Sequence, residues 1–238
     1  MTATLITGAN KGLGYEAARR LVAAGHTVYV GSRDADRGRR AAERLGARTV
    51  QLDVTDDASV EAAATAIAAA GGLDVLVNNA GIVDPGEWTD DNVVLGATEM
   101  TADVMRTTFE TNVFGPVRVL HAFLPLLQRS AAPVVVNVSS ALASLSRAST
   151  PGGPGYGYRG VAYPASKAAL NMVTVQYAKA FPTMRINAVE PGFTETDLNG
   201  KTGHQTVEQG AEVIVRMAQL GPDGPTGGYV DADGPLPW

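Results

Sequence analysis

Short apolar runs rich in β-branched residues alternate along this chain with longer amphipathic stretches, and that alternation restricts the available folds more than any single motif. Strands of a parallel sheet are covered on both faces, so they read as continuous apolar runs, and each needs a crossover to reach the next. Strands are expected at Thr4–Thr7, Thr27–Val30, Thr49–Leu52, Val75–Asn78, Val134–Val138 and Arg185–Val189, with a short one at Gly228–Val230. Helical patterns run between them over Gly14–Ala24, Ala35–Leu45, Ser59–Ala69, Thr101–Arg129, Tyr163–Ala180 and His204–Gln219. Because such crossovers are right-handed, the pattern predicts an α/β fold: a doubly wound, seven-stranded, mostly parallel sheet with helices on both faces. A ligand should then sit at the carboxyl ends of the strands.

At 238 residues, 45% of them hydrophobic, the chain is expected to close as one domain over residues 1–238. Two segments resist regular structure: Ser144–Ala162, with its prolines and glycine clusters, and Phe193–Gly203, after a Pro-Gly pair. Together with Val83–Gly96 they are expected to shape the substrate side of the site. A net charge of −5 without basic blocks argues against a nucleic-acid partner. The absence of cysteine removes disulfides, thiolate nucleophiles and thiolate metal ligands, and His26, His121 and His204 lie too far apart in sequence to announce a metal site. With no leader pattern and no run of about 18 apolar residues, the expectation is a cytoplasmic protein without a membrane anchor.

Thr7-Gly8-Ala9-Asn10-Lys11-Gly12-Leu13-Gly14 follows the first strand and opens the first helix. Glycines there permit a sharp turn and let a pyrophosphate approach main-chain N–H groups at a helix N-terminus. The spacing Gly-x-x-x-Gly-x-Gly resembles that of the short-chain dehydrogenase/reductase family, and further pieces follow in family order. These are Asp53-Val54, Asn78-Asn79-Ala80-Gly81, Asn112, Ser139-Ser140, Tyr163-x-x-x-Lys167 and Pro191-Gly192.

The resemblance implies a Rossmann fold and a nicotinamide dinucleotide held by Gly8, Asn10, Lys11, Gly12, Leu13, Gly14, Asp53, Val54, Asn79, Ala80 and Gly81. Asp53 would accept from the adenine amino group, and Pro191, Gly192 and Thr196 would line the nicotinamide pocket. At the end of the second strand NAD binders of this kind place an acid, whereas this chain has Ser32 followed by Arg33. With Lys11 nearby, two cations would meet a 2′-phosphate, so the expected cofactor is NADP(H); Asp34 is the counter-signal, able to shield Arg33 or to sit near the ribose itself.

Tyr163 and Lys167 are four residues apart in a helical pattern, so phenol and ammonium share one face. A free phenol ionises near pH 10, and the neighbouring ammonium, together with a positive oxidised nicotinamide, is expected to favour phenolate and bring it into working range. By resemblance the catalytic set is Asn112, Ser140, Tyr163 and Lys167. Tyr163 would exchange the proton, Ser140 would hydrogen-bond the carbonyl oxygen, Lys167 would also bridge the nicotinamide ribose, and Asn112 would hold a relay water at a break in the long helix. The Gly-x-Ser-x-Gly elbow of a serine hydrolase is absent.

Asn10-Lys11-Gly12, Ser32-Arg33-Asp34, the run Gly72–Gly81, Glu208-x-Gly210-Ala211 and Trp238 most resemble the monomeric carbonyl reductases of the family. That branch carries an insertion before the tyrosine that covers the helices other members use to form tetramers, and Ser144–Ala162 resembles a shorter version of it, so the resemblance implies a monomer with dimer and tetramer open. The expected function is NADPH-dependent reduction of a small ketone or aldehyde. An NAD(P)-linked alcohol dehydrogenase working oxidatively and a non-catalytic NADP-binding regulator are the alternatives.

Overall fold

Successive side chains of a strand point to opposite faces, so unbroken apolar runs need cover on both sides. In the computed structural model, which describes residues 1–87 and 94–238, β1 (Ala3–Thr7) turns Ile6 to one layer and Leu5 to the other. β4 (Val75–Asn78) separates Val75 and Val77 from Leu76 in the same way, and β5 (Val134–Val138) separates Val134 and Val136 from Val135. With β2 (Thr27–Ser32), β3 (Arg48–Gln51), β6 (Arg185–Val189) and β7 (Tyr229–Val230) they form a seven-stranded parallel sheet in the order β3-β2-β1-β4-β5-β6-β7. The first layer is closed by α1 (Gly12–Ala23), α2 (Ala35–Leu45) and α8 (Val207–Ala218). The second is closed by α3 (Asp57–Ala69), α5 (Gly115–Leu127) and α7 (Ala162–Ala180). Chain direction across the sheet reverses between β1 and β4, which opens a crevice at their carboxyl ends. The expected doubly wound architecture is the one present.

The helix expected over Thr101–Arg129 is built in three parts: α4 (Ala102–Phe109), a π-helical turn (Glu110–Phe114) and α5. The π turn contains Asn112 and supplies the break expected there. Local caps move other boundaries. α3 begins at Asp57 instead of Ser59 because the Asp56 carboxylate accepts from Ser59 N–H. α8 begins at Val207 instead of His204 because Thr206 and Gln209 form a capping box, while His204 N–H bonds back to the Phe193 carbonyl. Within the irregular Ser144–Ala162 segment one helical turn does form, α6 (Leu145–Ala148), with Ser144 Oγ accepting from Arg147 N–H. The centre of the loop expected at Val83–Gly96 lies outside the described residues.

Asp74 ties the amino ends of three strands together, at the end of the sheet opposite the crevice. Its carboxylate accepts from Ala3 N–H at 2.8 Å and Ser130 Oγ at 2.6 Å, and its main chain bonds the Ala3 carbonyl and Val134 N–H, each at 2.9 Å. Asp74→Ala leaves both donors without that acceptor and should cost about 1–3 kcal/mol, read as a lower urea midpoint. Dinucleotide binding at the other end of the strands should be unchanged.

Candidate functional site

The turn after β1 needs left-handed backbone twice, and glycine occupies both places: Gly8 has φ +65° and Gly12 φ +58°. Gly14 is required for a different reason. A Cβ there would lie 2.5 Å from Asn79 Nδ2, the amide that donates to the Thr7 carbonyl at 2.8 Å and the Gly8 carbonyl at 3.3 Å. Thr7 Oγ1 in turn accepts from the N–H groups of Asn79 and Ala80, each at 3.0 Å. The glycine turn and the Asn-Asn-Ala-Gly turn are thereby bonded into one floor. Lys11, the residue before α1, makes no side-chain cap, so the first N–H groups of that helix remain available to an anion.

A cavity of about 1360 Å³ runs from this floor along the carboxyl edge of the sheet. Gly8, Asn10, Lys11, Gly12, Leu13, Arg33, Asp53, Val54, Asn79, Ala80, Gly81, Ser140, Tyr163, Lys167, Pro191, Gly192 and Thr196 all line it. Three of the expected site residues stand behind the wall instead. Gly14 is the close-packing position just described. Ser32 is buried, and its hydroxyl donates to the Asp34 carbonyl at 2.9 Å, closing the β2–α2 turn instead of facing a ribose. Asn112 is also buried. Its Oδ1 accepts from Ile82 N–H at 2.9 Å, and its Nδ2 donates to the Ile82 carbonyl at 2.8 Å and Ser166 Oγ at 3.0 Å. The side chain of Asn112 therefore braces the Gly81–Ile82 turn against α7.

The charges at the β2 end resolve differently from one another. Asp34 caps α2, accepting from Arg37 N–H at 2.9 Å and pairing with its guanidinium at 3.3 Å, so it does not shield Arg33, which is exposed at the cavity rim. Lys11, expected as a second cation at that rim, pairs across the cleft with Asp197 at 2.7 Å. Asp53 Oδ1 accepts from the Thr55 N–H at 2.9 Å and hydroxyl at 2.7 Å, an Asx turn that fixes the carboxylate at the cavity wall.

At the other end the two serines after β5 part company. Both border the cavity, but Ser139 is buried and commits its hydroxyl to Asn171 Oδ1 at 2.6 Å, whereas Ser140 is less buried and its Oγ accepts from Leu142 N–H at 3.3 Å. Tyr229, unremarked in the sequence, donates its hydroxyl to the Ser140 carbonyl. Lys167 is 4% exposed, donates to the Val138 carbonyl at 2.8 Å and lies 5.7 Å from the Tyr163 ring centre. A Cβ on Gly81 would approach both Lys167 Nζ, at 3.3 Å, and Asn112 Oδ1, at 3.4 Å, so a glycine there lets these groups converge.

Burial dominates the proton affinities. Desolvation lowers Lys167 to about 8, and it raises the Tyr163 phenol above its ordinary value even though the Ser140 side chain pulls the other way. In the site without its cofactor, the cost of burying a phenolate is the larger effect on Tyr163. Sequence reading also missed two carboxylates. Glu190, next to Pro191-Gly192, lines the cavity and is pushed up by burial; its adjacency to that turn was a usable signal. Glu87 is fully buried and bonded to the main chain of Tyr163, from which it is separated by 76 positions, and no local pattern marks it.

Among the described residues no helix is long and apolar enough to cross a membrane, and no three His, Asp or Glu side chains are grouped to hold a metal ion. The cavity fits a dinucleotide on its own features: an anion-ready helix terminus, backbone-lined glycine turns at one end, and a buried Tyr–Lys pair at the other.

Residues 2–207 match the short chain dehydrogenase family profile. The chain is 34% identical to a (+)-neomenthol dehydrogenase of Arabidopsis thaliana, over 91% of this chain and 90% of that protein. Its fold superposes on an NADPH-bound carbonyl reductase from chicken fatty liver with a TM-score of 0.83 at 28% identity, covering 100% of this chain and 99% of the other. A 3-ketoacyl-(acyl-carrier-protein) reductase from Brucella melitensis complexed with NADH gives a TM-score of 0.81 at 25% identity, covering 97% and 96%. Together with the parallel sheet and the glycine turn that closes it, these matches establish that the chain belongs to the short-chain dehydrogenase/reductase family, oxidoreductases that bind a nicotinamide cofactor.

Proposed function

We propose that this protein is an NADPH-dependent carbonyl reductase acting on a small ketone or aldehyde. The observation that carries the reading is the convergence of Ser140, Tyr163 and Lys167 on one wall of a cavity whose far rim presents Arg33. When bound, the nicotinamide would supply the hydride. The chain's own groups handle the proton and the geometry. The buried phenol of Tyr163 stays protonated at neutral pH, as a donor to a carbonyl oxygen must be. Ser140, with its main chain held by Tyr229, would donate to the same oxygen and set its direction. Lys167, anchored to the Val138 carbonyl, keeps a positive charge beside the ring and favours the phenolate left after transfer. Leu142, Tyr158 and Phe193 line the cavity and suit an apolar substrate, which agrees with relatives named as a (+)-neomenthol dehydrogenase and a carbonyl reductase.

Tyr163→Phe should abolish carbonyl-dependent loss of NADPH absorbance while leaving NADPH binding, followed by nicotinamide fluorescence, intact. Retained turnover would remove Tyr163 as the acid.

For the dinucleotide, Arg33 is the residue placed to meet a 2′-phosphate, with Lys11 adding to it if it leaves Asp197. Arg33→Ser should weaken NADPH binding by about ten- to a hundredfold and leave NADH nearly unaffected, since only the former carries the phosphate. Equal losses for both would count against the NADP assignment.

Reduction requires Tyr163 protonated and Lys167 charged. The phenol is raised, so it sets no limit through neutral pH; Lys167, lowered to about 8, loses its charge above that value. The kcat of reduction should therefore stay level through neutral pH and fall on an alkaline limb near the Lys167 value, with a steady-state pH profile as the measurement.

A further inference from the structure

The helix that carries Tyr163 and Lys167 begins without a local cap. Val161, at the N-cap of α7, has no side chain able to accept from the first turn, although that turn leaves N–H groups in need of partners. An acceptor arrives from elsewhere in the chain. Glu87, in the loop after β4 and fully buried, receives the Tyr163 N–H on Oε2 at 3.3 Å and the Thr108 hydroxyl on Oε1 at 3.1 Å. Its own main chain is fixed on both sides: Glu87 N–H donates to the Asp84 carbonyl at 2.9 Å, and Leu95 N–H donates to the Glu87 carbonyl at 2.8 Å. Thr108 lies in α4, one turn before Asn112, so a single carboxylate joins the β4 loop, the helix of Asn112 and the helix of Tyr163.

A carboxylate is an expensive way to satisfy two neutral donors in the interior, because burial without a cation penalises its charge. Among the described residues no Lys or Arg pairs with it, and the titratable groups facing it are Asp84, Tyr158 and Tyr163, none of them a cation. What its charge does favour is the N-terminus of α7, toward which it points.

We propose that Glu87 is a positioning residue for proton transfer, holding the main chain of Tyr163 at the start of α7 so that the phenol meets the carbonyl oxygen. This rests on the assignment of Tyr163 as the acid. The role is mechanical: Glu87 lies outside the lining of the cavity and acts through the main chain of the residue it holds.

Glu87→Ala should lower the kcat of carbonyl reduction by about ten- to a hundredfold, the loss expected when a reacting group shifts by a fraction of an ångström to an ångström, with the Kd for NADPH unchanged. Glu87→Gln keeps an acceptor for the Tyr163 N–H and should recover most of the rate. Should the alanine variant fail to fold, Glu87→Gln and Glu87→Asp carry the test: the shorter aspartate should lose kcat without loss of NADPH binding, while glutamine retains it. Wild-type kcat in Glu87→Ala would overturn the proposal. So would a glutamine variant that loses kcat, NADPH binding and thermal stability together, because that marks a purely structural role. Turnover surviving Tyr163→Phe would remove the acid assignment and this proposal with it, whereas an inactive Tyr163→Phe beside a fully active Glu87→Ala removes only the positioning role.

Discussion

The amide of Asn79 occupies the space where a side chain on Gly14 would stand, and the cleft depends on that substitution of one group for another. Because Asn79 donates to the carbonyls of Thr7 and Gly8, the turn leaving β1 and the turn leaving β4 are held as one surface. These are the two central strands, at the point where chain order reverses, so the crevice between their crossovers has a fixed floor before any ligand enters. The Thr7 hydroxyl, accepting from Asn79 and Ala80, adds bonds in the opposite sense. The reacting wall is referenced to the same floor: Gly81 admits Lys167 and Asn112, and Asn112 bonds the main chain of Ile82.

Burial then sets the chemistry of that wall. A lysine ammonium and a tyrosine phenol are each penalised in their charged forms by desolvation, in opposite directions on the pH scale, and the structure moves Lys167 down and Tyr163 up. The phenol is thereby kept protonated, and the ammonium retains its charge at neutral pH with modest reserve. A fixed dipole offsets part of this cost for Lys167, which donates to the Val138 carbonyl, whereas the Glu87 carboxylate adds to it for a Tyr163 phenolate. Rigid partners of this sort lower the reorganisation needed when charge shifts during reaction.

The sheet was legible because its signal is periodic and local. Apolar runs such as Val134–Val138 carry their own strand pattern, and the glycines of the first turn carry a backbone requirement that only Gly8 and Gly12 meet cheaply. Helix starts were less legible because a competing cap decides them, as Asp56 and Thr206 do. Within the site, the position of Tyr163 and Lys167 on one helical face followed from spacing, but the direction of the phenol's proton affinity did not, since burial is a property of the packed molecule. The partners of Ser32 and Asn112 were illegible for the same reason: Ser32 bonds the Asp34 carbonyl, and Asn112 bonds the Ile82 main chain and Ser166 Oγ, contacts that only packing decides. Glu87 was invisible because a contact spanning 76 positions leaves no periodic trace.

Charge is distributed unevenly along the cavity, and the unevenness matches what the proposed reduction asks of each end. At the nucleotide rim the groups are exposed: Lys11 and Asp197 are 60% and 56% accessible, and such a pair is screened by solvent and yields readily to a stronger anion. Arg33, left unshielded because Asp34 is committed to α2, needs no rearrangement to receive one. At the reacting end the groups are buried, anchored to main chain and costly to move. A binding end made of adjustable surface charges can admit and release a large ligand, while a reacting end made of desolvated, pinned groups preserves the geometry that proton transfer demands. Because the pair that Lys11 makes with Asp197 joins the glycine turn to the 193–203 loop, the adjustable end extends across two separate segments of the cavity lining.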